Sequence, residues 1–448
     1  AWLPLIAMTF DVEMTATPEM ELLADANRRT RLHESVRRFL EIVIPGPALV
    51  EIENAHHIDE ASAELLSYLT GEMPTRPWLF AVARRPVAGG FDPPKSDTVV
   101  RIELKPLAPQ DALRMAQLAT QQSPLPGHVL DVVAKRSGGN PQFLRDLLRT
   151  AIESGGVADL PDSAEAAAMA QIDDLSPEDR SVVRRAAVFG ITFHPRMLAW
   201  FADEGEGAVP AAAMWERLRE LFDEEPDGYL RFRRTLLRDA AYEGLPFRLR
   251  RKLHAVVAAR LEDEMDYPEE AAGILSLHYF EAGDHPRAWR YGSLAALRAE
   301  AAYSYVEAAR LYTRALEAGR QIPDLDKGEL AEVQMLLGST WNRAGEFQKA
   351  SEIFTATRPL LSSDPLGESG LLMKLSQLEE KLGNYTGALR YVDEAREALK
   401  GLASEDAART AARAAAWSAT VLQAEGRTND ALSWAERALG EAEAVDDA

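Results

Sequence analysis

Cysteine is missing from the chain, which excludes disulfides, thiolate metal centres and a cysteine nucleophile. Its absence fits a reducing compartment, so a cytoplasmic location is expected. Positive charge is scarce as well: 50 Lys and Arg stand against 71 Asp and Glu, giving a formal net charge of -21 and a pI near 4.9. Such an acidic chain repels phosphate backbones and anionic lipid, which argues against non-specific nucleic-acid or membrane-surface binding. No apolar run approaches the roughly 20 residues of a membrane span, and the stretch after Ala1 lacks the charged region of a signal peptide. The chain is expected to be a fragment, or a processed product, of a longer cytoplasmic protein. Its 448 residues suffice for about three domains.

A further absence is chemical. Cradling a nucleotide's phosphates takes glycines where the backbone bends, a lysine, and a Ser or Thr for magnesium, in the pattern G-x-x-x-x-G-K-[ST]. The nearest approach is Gly89-Gly90-Phe91-Asp92-Pro93-Pro94-Lys95-Ser96. There Pro94 removes a backbone donor where the second glycine should stand, so this segment is expected to be a surface loop. Yet residues 48–69 have the look of a nucleotide-binding core. Ala48-Leu49-Val50-Glu51-Ile52 predicts a strand after Pro45-Gly46-Pro47, ending in Glu53-Asn54. A polar turn then leads into an amphipathic helix that Asp59 or Ser62 can cap. A carboxylate at the carboxyl end of a parallel strand is where such proteins hold magnesium and its water shell, which makes Glu53 the candidate metal ligand. The apolar run Trp78–Val82, continuing to Arg84-Arg85, predicts a central parallel strand. Val99–Leu104 predicts another, and residues from about Asn27 to Ile44 predict a helix.

Helical signals follow. Pro109-Gln110-Asp111-Ala112 starts one helix; Val129–Lys135 forms a second that stops at Ser137-Gly138-Gly139-Asn140-Pro141, a C-terminus and restart in one turn. This helical pattern is expected to run to about Gly155. Ser176-Pro177-Glu178-Asp179 reads as a capping box with proline at the first helical position. Asp227-Gly228 between Leu221-Phe222 and Tyr229–Phe232 predicts a hairpin. The one basic concentration, Arg231, Arg233, Arg234, Arg238, Arg248, Arg250, Arg251 and Lys252, is expected to be a solvated or interdomain face; DNA binding is disfavoured by the rest of the chain.

The last third repeats. Gly283, Gly345, Gly383 and Gly426 each precede an alanine by five residues (Ala288, Ala350, Ala388, Ala431), and Tyr303 precedes Ala308 in a copy without glycine. Seven residues further on stand Ala295, Thr357, Ala395, Ala438 and Ala315. Small residues at this spacing let paired helices approach closely, which is the tetratricopeptide (TPR) pattern at irregular periods of about 34 to 43 residues. Phe354, Val392 and Tyr312 fill larger interface positions, and Trp289, Trp341, Trp417 and Trp434 are read as helix-packing residues. Stacked repeats make a superhelix with a groove for a peptide or partner helix. No capping helix is legible after Glu443, so the array is expected to continue or to end against a partner.

Ala48–Ser62 resembles the LLVIEDAHWxDEAS signature of signal-transduction ATPases with numerous domains (STAND), relatives of AAA proteins. Gly138–Pro141 is similar to their GGNP turn, and Phe232–Glu243 to their FRHxLIRDxAYE segment. The sequence departs from the pattern at Glu51 (usually apolar), Asn54 (usually Asp), His57 (usually Trp) and Arg234 (usually His). An amide at Asn54 cannot take a proton from an attacking water.

The resemblance implies a multidomain, mostly α protein. Residues 1–105 would be a partial α/β P-loop-type core without its Walker A loop, 106–164 a helical lid, 165–262 a winged helix, and 266–448 a TPR solenoid. It also implies nucleotide contacts. Glu53 and Asn54 would form the Walker B end, Arg84 would close the sensor strand facing the γ-phosphate, and Asn140-Pro141 would lie on the adenine side. Arg234 would take the position of the histidine that touches the ADP β-phosphate. ATP or ADP with Mg2+ is expected only if the missing loop is supplied. The implied role is regulatory and scaffolding: a protein or peptide in the TPR groove controls an effector outside the chain. That effector is expected to be a class III adenylate/guanylate cyclase, which in actinobacteria often precedes such modules. Two alternatives remain open: an active ATP switch or LuxR-type regulator whose P-loop lies upstream, and a TPR adaptor with a vestigial ATPase.

Overall fold

The computed structural model describes the chain apart from residues 1, 10–13, 16, 22–24, 72–76, 88, 122, 155, 157–159, 205–211 and 445–448. Gly155 and the chain's last four residues, on which two of the expectations above fall, therefore lie outside the described residues. The protein is multidomain and mostly α, with a helical-repeat solenoid at its C-terminal end. It divides into two compact units, one of residues 1–99, 269–280 and 285–448, the other of residues 100–268 and 281–284.

The first unit begins with α1 (Leu3–Thr9), α2 (Pro18–Glu21), α3 (Asp25–Val43), β1 (Ala48–Ile52), α4 (Glu60–Gly71) and β2 (Trp78–Val82). β1 and β2 pair in parallel, Ala48 opposite Trp78 through Ile52 opposite Val82. The Asp59 carboxylate accepts the Ser62 N–H at 3.0 Å, so Asp59 is the residue that caps α4. Two expectations need correction. β2 is not a central buried strand: its burial alternates, with Leu79 exposed beside Leu49 on one face of the pair. Glu51 shares that face, so its charge stays in water. Nor do Val99–Leu104 form a strand. Val100, Ile102 and Leu104 are 84%, 80% and 91% exposed, because an extended segment becomes a strand only where a neighbour takes its N–H and C=O groups.

The second unit carries α5 (Pro109–Ala119), α6 (Gly127–Arg136), α7 (Pro141–Ser154), α8 (Ala164–Asp173), α9 (Pro177–Ala186), β3 (Thr192–Phe193), α10 (Ala212–Leu218), β4 (Phe222–Glu224), β5 (Leu230–Phe232), α11 (Thr235–Glu243) and α12 (Phe247–Glu264). Leu144, Leu147 and Ala151 of α7 pack on Val133 and Ala112 in one core. A second core gathers α8, α9, α11 and α12 around the antiparallel sheet β3-β5-β4, where Phe193, Phe222 and Phe232 meet ring to ring. Asp227, at φ 59°, turns the chain between β4 and β5. The Ser176 hydroxyl accepts the Asp179 N–H at 3.1 Å, the cap expected of this segment. The Asp179 carboxylate also takes two bonds from Arg217, at 2.6 and 3.2 Å.

The array follows as α13 (Ala272–Ala282), α14 (His285–Ala301), α15 (Tyr305–Gly319), α16 (Lys327–Arg343), α17 (Phe347–Thr357), α18 (Pro365–Lys381), α19 (Tyr385–Ala398), α20 (Glu405–Ala424) and α21 (Thr428–Glu443). Successive helices pair as α14 with α15, α16 with α17, α18 with α19 and α20 with α21. All ten small residues singled out in the sequence are buried. Thr357 is tolerated among them because its hydroxyl bonds the Ile353 carbonyl of its own helix at 2.8 Å. The seam is built from both helices of a pair. Ser376 of α18 donates to the Ala388 carbonyl of α19 at 2.8 Å and accepts the Trp417 indole N–H at 3.0 Å.

Every repeat turns through a left-handed residue. Gly283, Gly345, Gly383 and Gly426 have φ between 77° and 88°, and Tyr303 takes the same place at φ 62°. A tyrosine there costs about 1–2 kcal/mol of backbone energy. Tyr303→Gly is therefore expected to make the protein about 1 kcal/mol more stable in urea denaturation, once lost ring contacts are subtracted. A clear loss of stability would show that the ring contacts outweigh the strain.

Candidate functional site

The parallel pairing of β1 and β2 brings Glu53, Asn54 and Arg84 to one edge, at the carboxyl ends of both strands. The ladder continues past them, with the Ala83 N–H bonding the Ile52 carbonyl at 2.8 Å and the Ala55 N–H bonding the Ala83 carbonyl at 2.9 Å. Asn54 sits at φ 53°, ψ 37°. Asparagine tolerates this left-handed conformation better than most residues, which is a physical reason for the amide at this turn. Its side chain and that of Glu53 are exposed.

Ala55 is the anchor of the edge. It is fully buried, and its carbonyl accepts the Phe91 N–H at 2.8 Å. Gly90 approaches so closely that a Cβ there would lie 2.1 Å from the Ala55 oxygen, at φ 66°. The Gly89–Ser96 loop is thus tied to the strand end through Gly90 and the buried Phe91, a close approach that its composition did not reveal. Arg84 holds the same loop: its guanidinium donates to the Val87 carbonyl at 2.6 Å and the Phe91 carbonyl at 3.2 Å, and pairs with Asp92 at 3.4 Å.

The other three candidates lie in the second unit. Gly138 and Gly139 have φ 57° and 78°, and a Cβ on Gly139 would lie 2.5 Å from the Leu107 carbonyl. Asn140 caps α7, its side-chain oxygen accepting the N–H groups of Gln142 at 2.9 Å and Phe143 at 3.1 Å, with Pro141 as the first helical residue. Arg234 reaches that same helix. It is ion-paired to the buried Asp146 of α7 and donates to Gln171 of α8 at 2.6 Å. The guanidinium therefore joins three parts of the unit that lie far apart in the sequence.

The rest of the basic cluster is largely partnered inside the unit as well. Arg231 pairs with Glu225 at 2.8 Å and Arg233 with Asp223 at 3.0 Å, while Arg238 and Arg250 lie over the Tyr242 ring.

No protein-family model and no curated protein matches the sequence. Among solved structures the chain is similar to a signal transduction ATPase with numerous domains from Pyrococcus horikoshii that has a tetratricopeptide repeat sensor. The identity is 14% over 94% of this chain and 65% of that one, with a TM-score of 0.43. It is also similar to a kinesin light chain from Podospora anserina with nearly identical TPR-like repeats, at 17% identity over 45% of this chain and 97% of that one, with a TM-score of 0.33. The chain thus spans 65% of the length of the Pyrococcus structure.

Whether Mg2+ and a nucleotide fit the residues present is decided by the donor set. Glu53 supplies one carboxylate at the sheet edge. Among the described residues no group of three or more His, Asp or Glu is placed to hold a metal ion. The glycine nearest this edge, Gly90, packs against backbone and leaves no cradle for phosphate. With one carboxylate and no phosphate cradle beside it, this edge does not fit a magnesium nucleotide by itself.

No helix among the described residues is long and apolar enough to cross a membrane.

Proposed function

We propose that the chain is the regulatory and scaffolding segment of a STAND-type signalling protein. Its TPR array takes up a protein or peptide, and the strand-turn-helix segment around Glu53 relays that event to an effector outside residues 1–448. The observation that carries this reading is a contact inside the first unit. Asp59, which follows the Glu53-Asn54 turn and caps α4, accepts a hydrogen bond from Ser304 at 3.3 Å, in the turn between α14 and α15. A change in the array's curvature at that turn acts directly on the cap. Burial works against the charge of Asp59, yet the bonds from Ser62 and Ser304 outweigh it and hold the carboxyl below its ordinary value.

The family pattern makes a class III nucleotidyl cyclase the first choice of effector and the cytoplasm the place of action. On this reading residues 165–262, with their three-stranded sheet and hairpin, are the winged helix, and residues 106–164 the lid. A specific observation favours an upstream P-loop segment as well. The face of the β1–β2 pair bearing Leu49 and Leu79 is open, and Val100, Ile102 and Leu104 are unpaired; a preceding strand and helix would cover such surfaces. ATP with Mg2+ then binds only when that segment is present, with Glu53 contributing to the metal's water shell.

The test is a chain extended N-terminally by about one domain. Its magnesium-dependent affinity for ATP is expected to fall at least ~10-fold in Glu53→Ala, because the carboxylate after β1 would help hold the ion's water shell. Unchanged affinity would overturn the assignment of Glu53, and a preceding domain without cyclase residues would overturn the choice of effector.

A further inference from the structure

A cavity of about 160 Å3 lies within the first unit, lined by Arg29, Glu60, Glu64, Tyr303, Tyr305 and Arg343. It holds the volume of about five waters, far too little for a nucleotide. The two arginines and two glutamates of the lining sum to zero, but Glu300, outside the lining, takes up the charge of Arg343 and leaves one carboxylate in excess. Arg29 is paired with Glu64 at 2.5 Å and Arg343 with Glu300 at 2.8 Å, so both guanidiniums are already neutralised. Glu60 has no ion pair or hydrogen bond among the described residues, and it stands next to two aromatic rings set at 88° with centroids 6.4 Å apart, Tyr303 and Tyr305. A carboxylate without an ion pair, in a cavity lined by two aromatic side chains, is a setting that attracts positive charge.

We propose that this cavity binds one organic cation, an ammonium or guanidinium head on a short aliphatic stem, with Glu60 as counter-ion and the rings of Tyr303 and Tyr305 as walls. Burial and the neighbouring charges of Glu64, Glu346 and Asp59 push the Glu60 carboxyl up, and Arg29 opposes them. A bound cation relieves that repulsion, whereas an anion would add to it. The position of Tyr303 agrees: only in this repeat is the left-handed turn residue a tyrosine, and only here does its ring line a cavity with an unpaired carboxylate. The site is separate from the strand-end residues and stands or falls independently of nucleotide binding.

The cation has two sources, a free small molecule or a Lys or Arg side chain of a partner segment. The experiment titrates the full chain by calorimetry with n-butylammonium and N-ethylguanidinium, with n-butanol as the neutral control. A second arm uses a short peptide carrying a single arginine, and the same peptide with norleucine in its place. Saturable binding of a free cation identifies the first source, and binding of the arginine peptide alone identifies the second. In either arm Glu60→Gln is expected to weaken binding at least 10-fold and Tyr303→Gly about 5-fold. The glycine variant keeps the turn its neighbouring repeats use, so loss of binding there is not loss of fold. No saturable binding in either arm, equal binding of the neutral control, or affinity unchanged by Glu60→Gln would each overturn the proposal.

Discussion

Arg234→Ala is expected to destabilise the second unit by about 3 kcal/mol in chemical denaturation. The substitution leaves Asp146, whose side chain is only 6% exposed, without its cation, and an uncompensated buried charge is among the costliest single changes a core can suffer. It also removes the bond to Gln171. The double variant Arg234→Leu with Asp146→Leu should recover most of the loss, because it removes both charges together. If Arg234→Ala cost less than about 1 kcal/mol, the pair would be behaving as a surface contact, and Arg234 would be free to meet a phosphate instead.

Phe354→Ala is expected to cost the array about 3–5 kcal/mol. The ring is fully buried in α17, in a core with Leu371, Leu372 and Leu375 of α18. It rests on Gly338 of α16, where an added Cβ would lie 2.4 Å from a ring carbon. Such an interface serves three helices at once. Because repeats are stabilised mainly by their neighbours, the loss should appear as early unfolding of α16–α18 in hydrogen exchange while residues 100–268 keep their protection. Uniform destabilisation of the whole chain would mean that the array does not unfold repeat by repeat.

What was legible in the sequence was whatever repeats or alternates. The alanines of the array gave its helix pairs because a close helix crossing admits no larger residue, and the burial of all ten bears this out. The cap at Asp59, the Asn140-Pro141 start of α7 and the hairpin turn at Asp227 were legible because each rests on chemistry within a few residues. Other features depend on partners distant in sequence. Val99–Leu104 has a strand's alternation and no strand beside it. Arg234 lies 88 residues from Asp146, so its ion pair has no local signature. The two-residue β3 is too short to leave a pattern. Gly90 looked like part of a loop, and only the fold shows the Ala55 carbonyl against it. Tyr303 could have been recognised sooner: a residue in register with four turn glycines is expected to share their backbone.

The account turns most directly on affinity for nucleotide. Equilibrium titration with a fluorescent ATP analogue and Mg2+ compares the chain of 448 residues with one extended N-terminally by about one domain. The account predicts no saturable binding by the shorter chain and tight, magnesium-dependent binding by the longer one, weakened by Glu53→Ala. Equally tight binding by both would contradict it, since the shorter chain would then hold a complete phosphate site.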